Sequence, residues 1–171
     1  GVDVSTRQIA QAAGVAEGTI FGVFETKTSL VVCSVIKALD PQPTFDALAA
    51  IDPTAPLRAR MIRAADLVHD RFTDNAQLMT AARKLVIAGA DPDAAARLSR
   101  NREVLHAALT ELIRPDADQL RWRPAAVAAL LLQFCGASAY GPYGDPGNFS
   151  GEETVSLLLD GLLIPRGTHQ C

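Results

Sequence analysis

Two sets of side chains in this 171-residue chain have types and spacing that could do chemistry. Asp66, His69 and Asp70 fall within one helical turn, a carboxylate–imidazole–carboxylate arrangement suited to acid–base work or to half a metal site. No nucleophile accompanies them and no second ligand pair lies at metal spacing, so local pairing along a helix accounts for them better. Cys33, Cys135 and Cys171 show no Cys-x-x-Cys spacing and no activating neighbour. They read as two small core residues and a tail thiol in a reducing cytoplasm. There is no His-Glu-x-x-His, no Gly-x-Ser-x-Gly and no phosphate loop. We therefore expect no enzyme, no metal and no cofactor.

The elements that must position any site are helical. Apolar residues make up 49% of the chain, which excludes disorder, and nothing alternates with the period of a strand. Apolar residues instead recur at helical spacing between proline and glycine breaks. Leu57, Met61, Ala64, Val68 and Phe72 line one face, and Leu78, Ala82, Leu85 and Val86 another. A third stripe is Leu98, Leu105, Leu109 and Leu112, opened near Pro92. Val127, Leu130, Leu131, Phe134 and Ser138 form a fourth; Val155, Leu158, Leu159, Leu162 and Leu163 form the last, behind Glu152 and Glu153. Pro41, Pro43, Pro53 and Pro56 predict a break after the first third. The longest apolar run, Ala125 to Leu132, is too short for a membrane span of ~20 residues, so no membrane partner is expected.

The first forty residues are more specific. Ser5 and Gln8 have the spacing of a capping box, opening a short helix with Ile9, Ala12 and Ala13 inward. Gly14 suits the left-handed residue that stops a helix. A turn begins at Val15, and Ala16 to Phe24 reads as a second short helix, with Ile20 and Phe24 packing on the first. Two short helices joined by a glycine turn make a helix-turn-helix unit.

The run from Thr6 to Phe24, with Ile-Ala-x-x-Ala-Gly-Val at 9–15, Gly-Thr-Ile-Phe at 18–21 and Phe-x-x-Lys-x-x-Leu at 24–30, resembles the TetR family of transcriptional regulators. The resemblance implies an all-α fold: a helix-turn-helix DNA-binding head with its connecting helix over 1–40, and a helical ligand-binding and dimerisation domain over 41–171. It implies that the second helix enters the major groove, with Ala16, Glu17 and Gly18 at base edges. Thr19 has a hydroxyl suited to a phosphate or a base. Lys27 would hold a phosphate at the start of the next helix, and Ser5 and Thr6 the neighbouring one. Phe21 stands where the family usually has Tyr, so a phenolic phosphate contact is lost. Gly22 and Val23 replace polar, aromatic or basic residues. Residues 1–40 hold Arg7, Lys27 and Lys37 against Asp3, Glu17, Glu25 and Asp40, a net charge of −1 within a chain of net −3. Such a balance is poor for the counterion release that drives DNA affinity. The family's first helix has no counterpart here, and we expect upstream residues to supply it.

For the remaining chain the resemblance implies a small apolar or amphipathic effector. Its lining would come from Met61, Ala65, His69 and Phe72, from Met79, Arg83 and Val86, and from Arg102, Leu105, His106 and Leu109. A homodimer would form through Val127, Leu130, Leu131, Phe134 and Ser138 with Val155, Leu158, Leu159 and Leu162, where Ala128, Ala129, Gly136 and Ala137 allow close helix approach. The expected function is a cytoplasmic one-component regulator, a repressor that binds palindromic double-stranded operator DNA as a dimer and is released by its effector. The alternative is a helical ligand-binding or protein-interaction module whose DNA-reading head no longer works.

Overall fold

The computed structural model describes residues 4–76, 78, 92–140 and 149–161, with side chains for all of these but 92–95 and 138–140. Every regular element among the described residues is helical. The chain packs as two compact units, one of Gly1–Pro43 with Asp74–Val104, the other of Thr44–Thr73 with Leu105–Cys171. The first therefore holds residues 74–104 in addition to the N-terminal stretch.

In the first unit, α1 (Thr6–Ala13) begins at the expected capping box: the Gln8 amide donates to Ser5 Oγ at 3.2 Å and the Ser5 amide to Gln8 Oε1 at 2.9 Å. Gly14 ends the helix at φ 66°, a conformation that a Cβ would strain. Ala12 and Ala13 are exposed, contrary to expectation, and Ala10 is the buried residue of α1. At ~100° per residue, Ala12 lies nearly opposite Ala10, the position that meets Ile20 and Leu30. The second helix, α2 (Glu17–Phe21), is shorter than expected. Ala16 offers its start no side-chain cap, and Gly18 within it raises its entropic cost. After Phe21 the chain turns, with the Val23 and Phe24 amides both donating to the Ile20 carbonyl at 3.1 and 2.8 Å. Helix α3 (Lys27–Ala38) opens on a second capping box, Thr26 with Ser29, and is closed by Leu39. Ala10, Ile20 and Leu30 form one small core with Ile9 and Phe24; Val35 and Leu39 form another with Val31, Leu78 and Leu98.

The second unit contains α4 (Gln42–Ala49) and α5 (Leu57–Asp74). The chain breaks between α3 and α4 as expected, and Pro43 lies in the first turn of α4, where a proline loses no intrahelical bond. The loop after α4 is pinned by Asp52, whose carboxylate accepts from the Thr54 amide at 2.8 Å and hydroxyl at 2.7 Å. Those bonds hold the Asp52 carboxyl below its ordinary range. Helix α6 (Pro92–Ile113) enters this unit at Leu105 and passes into a 3-10 turn, Arg114–Gln119. Helices α7 (Pro124–Tyr140) and α8 (Gly151–Asp160) pack on one another. The core joins Met61, Ala64, Ala65 and Val68 of α5 to Leu105, Leu109 and Ile113 of α6, Val127, Leu131 and Cys135 of α7 and Val155 of α8. Asp66, grouped with His69 and Asp70 as a local pair in the sequence, instead accepts a hydrogen bond from the Gly151 amide at 3.0 Å, joining α5 to α8.

Candidate functional site

The reading head is small, apolar and partly self-satisfied. The Ser5 hydroxyl is engaged in its own cap, accepting from the Gln8 amide and donating to Gln8 Oε1 at 3.0 Å. The Thr6 hydroxyl donates to Glu17 Oε1 at 2.6 Å, so two residues expected to meet DNA meet each other. At that distance the bond is charge-assisted, and it holds the starts of α1 and α2 together. Ala16, Gly18 and Thr19 are exposed along α2, and Lys27 occupies the first position of the capped α3. Around them the surface is apolar: Phe21 is 50% exposed and Val23 72%.

The residues expected to line an effector cavity are placed as follows. Met61, Ala65, Leu105 and Leu109 are buried in the core of the second unit, among side chains of α7 and α8. His69 is half-buried on α5, and Phe72 packs against the core from its edge. Arg102 is exposed. A ring nitrogen of His106, Nε2, bonds the Ala125 carbonyl at 2.8 Å and so fixes α6 to the start of α7. Met79, Arg83 and Val86 lie outside the described residues.

A recess of about 350 Å³ opens elsewhere in the second unit, lined by Phe45, Leu48, Ala49, Ile51, Pro53, Arg60, Ala108, Glu111, Leu112 and Pro115. Its walls are mostly apolar, with Glu111 and, from α5, Arg60, which is only 3% exposed. The guanidinium donates from Nη1 to the Pro53 carbonyl at 2.8 Å and from Nη2 to the Asp116 carboxylate. The third donor, Nε–H, is buried without an acceptor. An unmet buried donor costs roughly 1–3 kcal/mol. No spacing rule in the sequence signals this site, because its residues come from α4, the loop behind it, the start of α5 and the end of α6.

The expected dimer residues divide in two. Val127, Leu131 and Val155 are buried in the core of the second unit. Leu130 is 48% exposed. Leu158 and Leu159 are half-buried against the core, and Phe134 meets Phe149 edge to face, with centroids 5.2 Å apart. The Ser138 side chain and Leu162 lie outside the described residues. Burial pushes the Cys135 thiol up to about 12, the opposite of what a nucleophile needs. Among the described residues no three His, Cys, Asp or Glu side chains converge on a metal position, and no helix is long and apolar enough to cross a membrane.

Residues 1–32 match the family model described as bacterial regulatory proteins, tetR family. No curated protein shows a significant sequence match. A transcriptional regulator of the TetR/AcrR family from Thermobifida fusca superposes with a TM-score of 0.73 at 19% identity, over 94% of this chain and 88% of that one. The TetR family transcriptional regulator PfmR from Thermus thermophilus superposes with a TM-score of 0.57 at 20% identity, over 94% of this chain and 90% of its own. The all-helical fold is thus TetR-like, and the family signature lies in the N-terminal segment.

Proposed function

We propose that this chain is a TetR-type transcriptional regulator, a repressor that binds palindromic operator DNA as a homodimer and leaves it when a small effector binds the second unit. The carrying observation is the coincidence of the tetR-family match over residues 1–32 with a capped α1, the Gly14 turn and α2 presenting Ala16, Gly18 and Thr19. A dimer places two such heads on one site, and linking two weak contacts multiplies their effect. Release is a shift between conformations; moving the balance from 1:99 to 99:1 takes about 5.5 kcal/mol of differential effector affinity. The bond between Thr6 and Glu17 and the acidic head favour a second reading, a helical ligand-binding or protein-interaction module whose head does not bind DNA.

One titration separates the two. Fluorescence anisotropy of the full-length protein, on duplex from upstream of its own gene and on a scrambled duplex, is measured at two salt concentrations. The regulator binds the native duplex selectively and loses affinity as salt rises, because phosphate contacts release counterions. Equal or absent binding to both duplexes refutes it and leaves the second reading.

A further inference from the structure

Between Ala16 and Val23 the sequence has no Arg, Lys, Asn or Gln. Those are the side chains that pair with guanine and adenine edges in the major groove. Glu17, which could accept from a cytosine amine, has one carboxylate oxygen bonded to Thr6 at 2.6 Å. Thr19 brings a single hydroxyl. The largest groups that α2 and the turn behind it present to solvent are hydrocarbon. Phe21 is 50% exposed and Val23 72%, while Ile20 and Phe24 beside them pack into the head's core. Gly18 and Phe21, three positions apart, lie on one face of α2, and a Cβ at Gly18 would meet nothing within 4 Å. That face is open to close approach, with the Phe21 ring as its largest group.

The major groove offers one apolar group, the 5-methyl of thymine. We infer that Phe21 and Val23 are specificity-determining residues that read thymine methyls, so that an operator is chosen by where its thymines stand and not by its guanine or adenine edges. This role rests on the regulatory reading above. Charge points the same way. Residues 1–40 hold three cations against four anions, so phosphate attraction is weak and uncharged contacts carry a larger share of affinity. A side chain that is already apolar and exposed loses no hydrogen bond to water when it docks on a methyl, and both surfaces gain from leaving water.

The test uses the full-length protein and three duplexes: the one from upstream of its own gene, the same duplex with deoxyuridine for every thymidine, and the scrambled one. Uracil keeps every major-groove donor and acceptor of thymine and lacks only the methyl. Binding is followed by fluorescence anisotropy at one salt concentration. The thymine duplex binds more tightly than its uracil form; one buried methyl is worth about fourfold, and one in each half-site roughly fifteenfold. Phe21→Ala and Val23→Ser, both at exposed positions, each shrink that ratio toward one, with circular dichroism reporting that the helices persist. A residue that only held the head together would weaken both duplexes equally and leave the ratio alone. Selective binding of the upstream duplex with equal affinity for its uracil form, or a ratio that either folded variant leaves unchanged, overturns the methyl-reading role and leaves the regulator standing. No selective binding of the upstream duplex over the scrambled one refutes the regulatory reading, and the methyl-reading role with it.

Discussion

At the scale of single residues, Glu17 is where the two readings of the head diverge. Its carboxylate accepts from Thr6 and puts a negative charge at the start of α2. Under the regulatory reading, Glu17→Ala frees the Thr6 hydroxyl and removes that charge's repulsion of phosphates. Affinity for any duplex then rises by about two- to fivefold, the value of one exposed charge pair. If Glu17 also reads a cytosine amine, the ratio of operator to scrambled affinity falls in the same anisotropy experiment. The cysteines give a prediction independent of DNA. Cys33 is exposed, whereas Cys135 is buried with its thiol directed to the Ala65 carbonyl at 3.9 Å. Peptide mapping after iodoacetamide treatment at neutral pH will find Cys33 alkylated and Cys135 protected until the protein is unfolded. Because burial raises the Cys135 thiol to about 12, the unfolded chain releases this proton first. The contribution is therefore whole below the unfolded thiol's ordinary range and is lost as pH rises toward the folded value.

At the scale of elements, the ends of the helices were more legible than their packing. Ser5 with Gln8 and the Gly14 stop could be read from residue type, since a cap is a local bond between near neighbours. Thr26 with Ser29, and Ser150 with Glu153, are capping boxes of the same geometry that the apolar stripes did not single out. The Arg60 recess and the Asp66–Gly151 bond were illegible because each joins residues tens of positions apart, and no periodicity encodes that pairing. For the same reason the stripes on α5 and α6 could be recognised as apolar, but which of their residues meet in the core could not be read. At α8, Ser150→Ala removes the acceptor of the Glu153 amide and costs about 1 kcal/mol in chemical denaturation. Glu153 is held below the ordinary glutamate range by the Ser150 amide and hydroxyl. Its contribution is present above the unfolded carboxyl's range and is lost as pH falls through the lowered folded value; Glu153→Gln flattens that limb of the stability profile. Gly151→Ala is more severe. A Cβ there would lie 2.2 Å from Asp66 Oδ1 and 2.8 Å from the Ile62 carbonyl oxygen. The side chain can turn away but the backbone carbonyl cannot, so a loss of about 1–3 kcal/mol is expected from the forced separation of α5 and α8.

At the scale of the whole molecule, the proposed dimer depends on which side of α7 is left over once the subunit has folded. Val127, Ala128, Leu131 and Cys135 go to the core, leaving Ala129, Leu130, Gln133 and Ala137 exposed in a stripe one, four and eight positions from the first. Small residues flank Leu130, so a second helix can approach its backbone closely with one leucine as the central knob. Leu130→Glu puts a charge where the folded monomer already meets water and leaves the core untouched. In a two-fold interface the same change sets two carboxylates against each other and strands them from solvent. Sedimentation velocity is expected to show the variant as a monomer at concentrations where the wild type is a dimer, with an unchanged thermal midpoint for the subunit. Operator affinity then falls by the factor that joining two heads supplies, about 10²–10⁴. A Leu130→Glu protein that remains dimeric would place the interface away from this face of α7, and one that becomes monomeric with full operator affinity would show that a single acidic head reads DNA unaided.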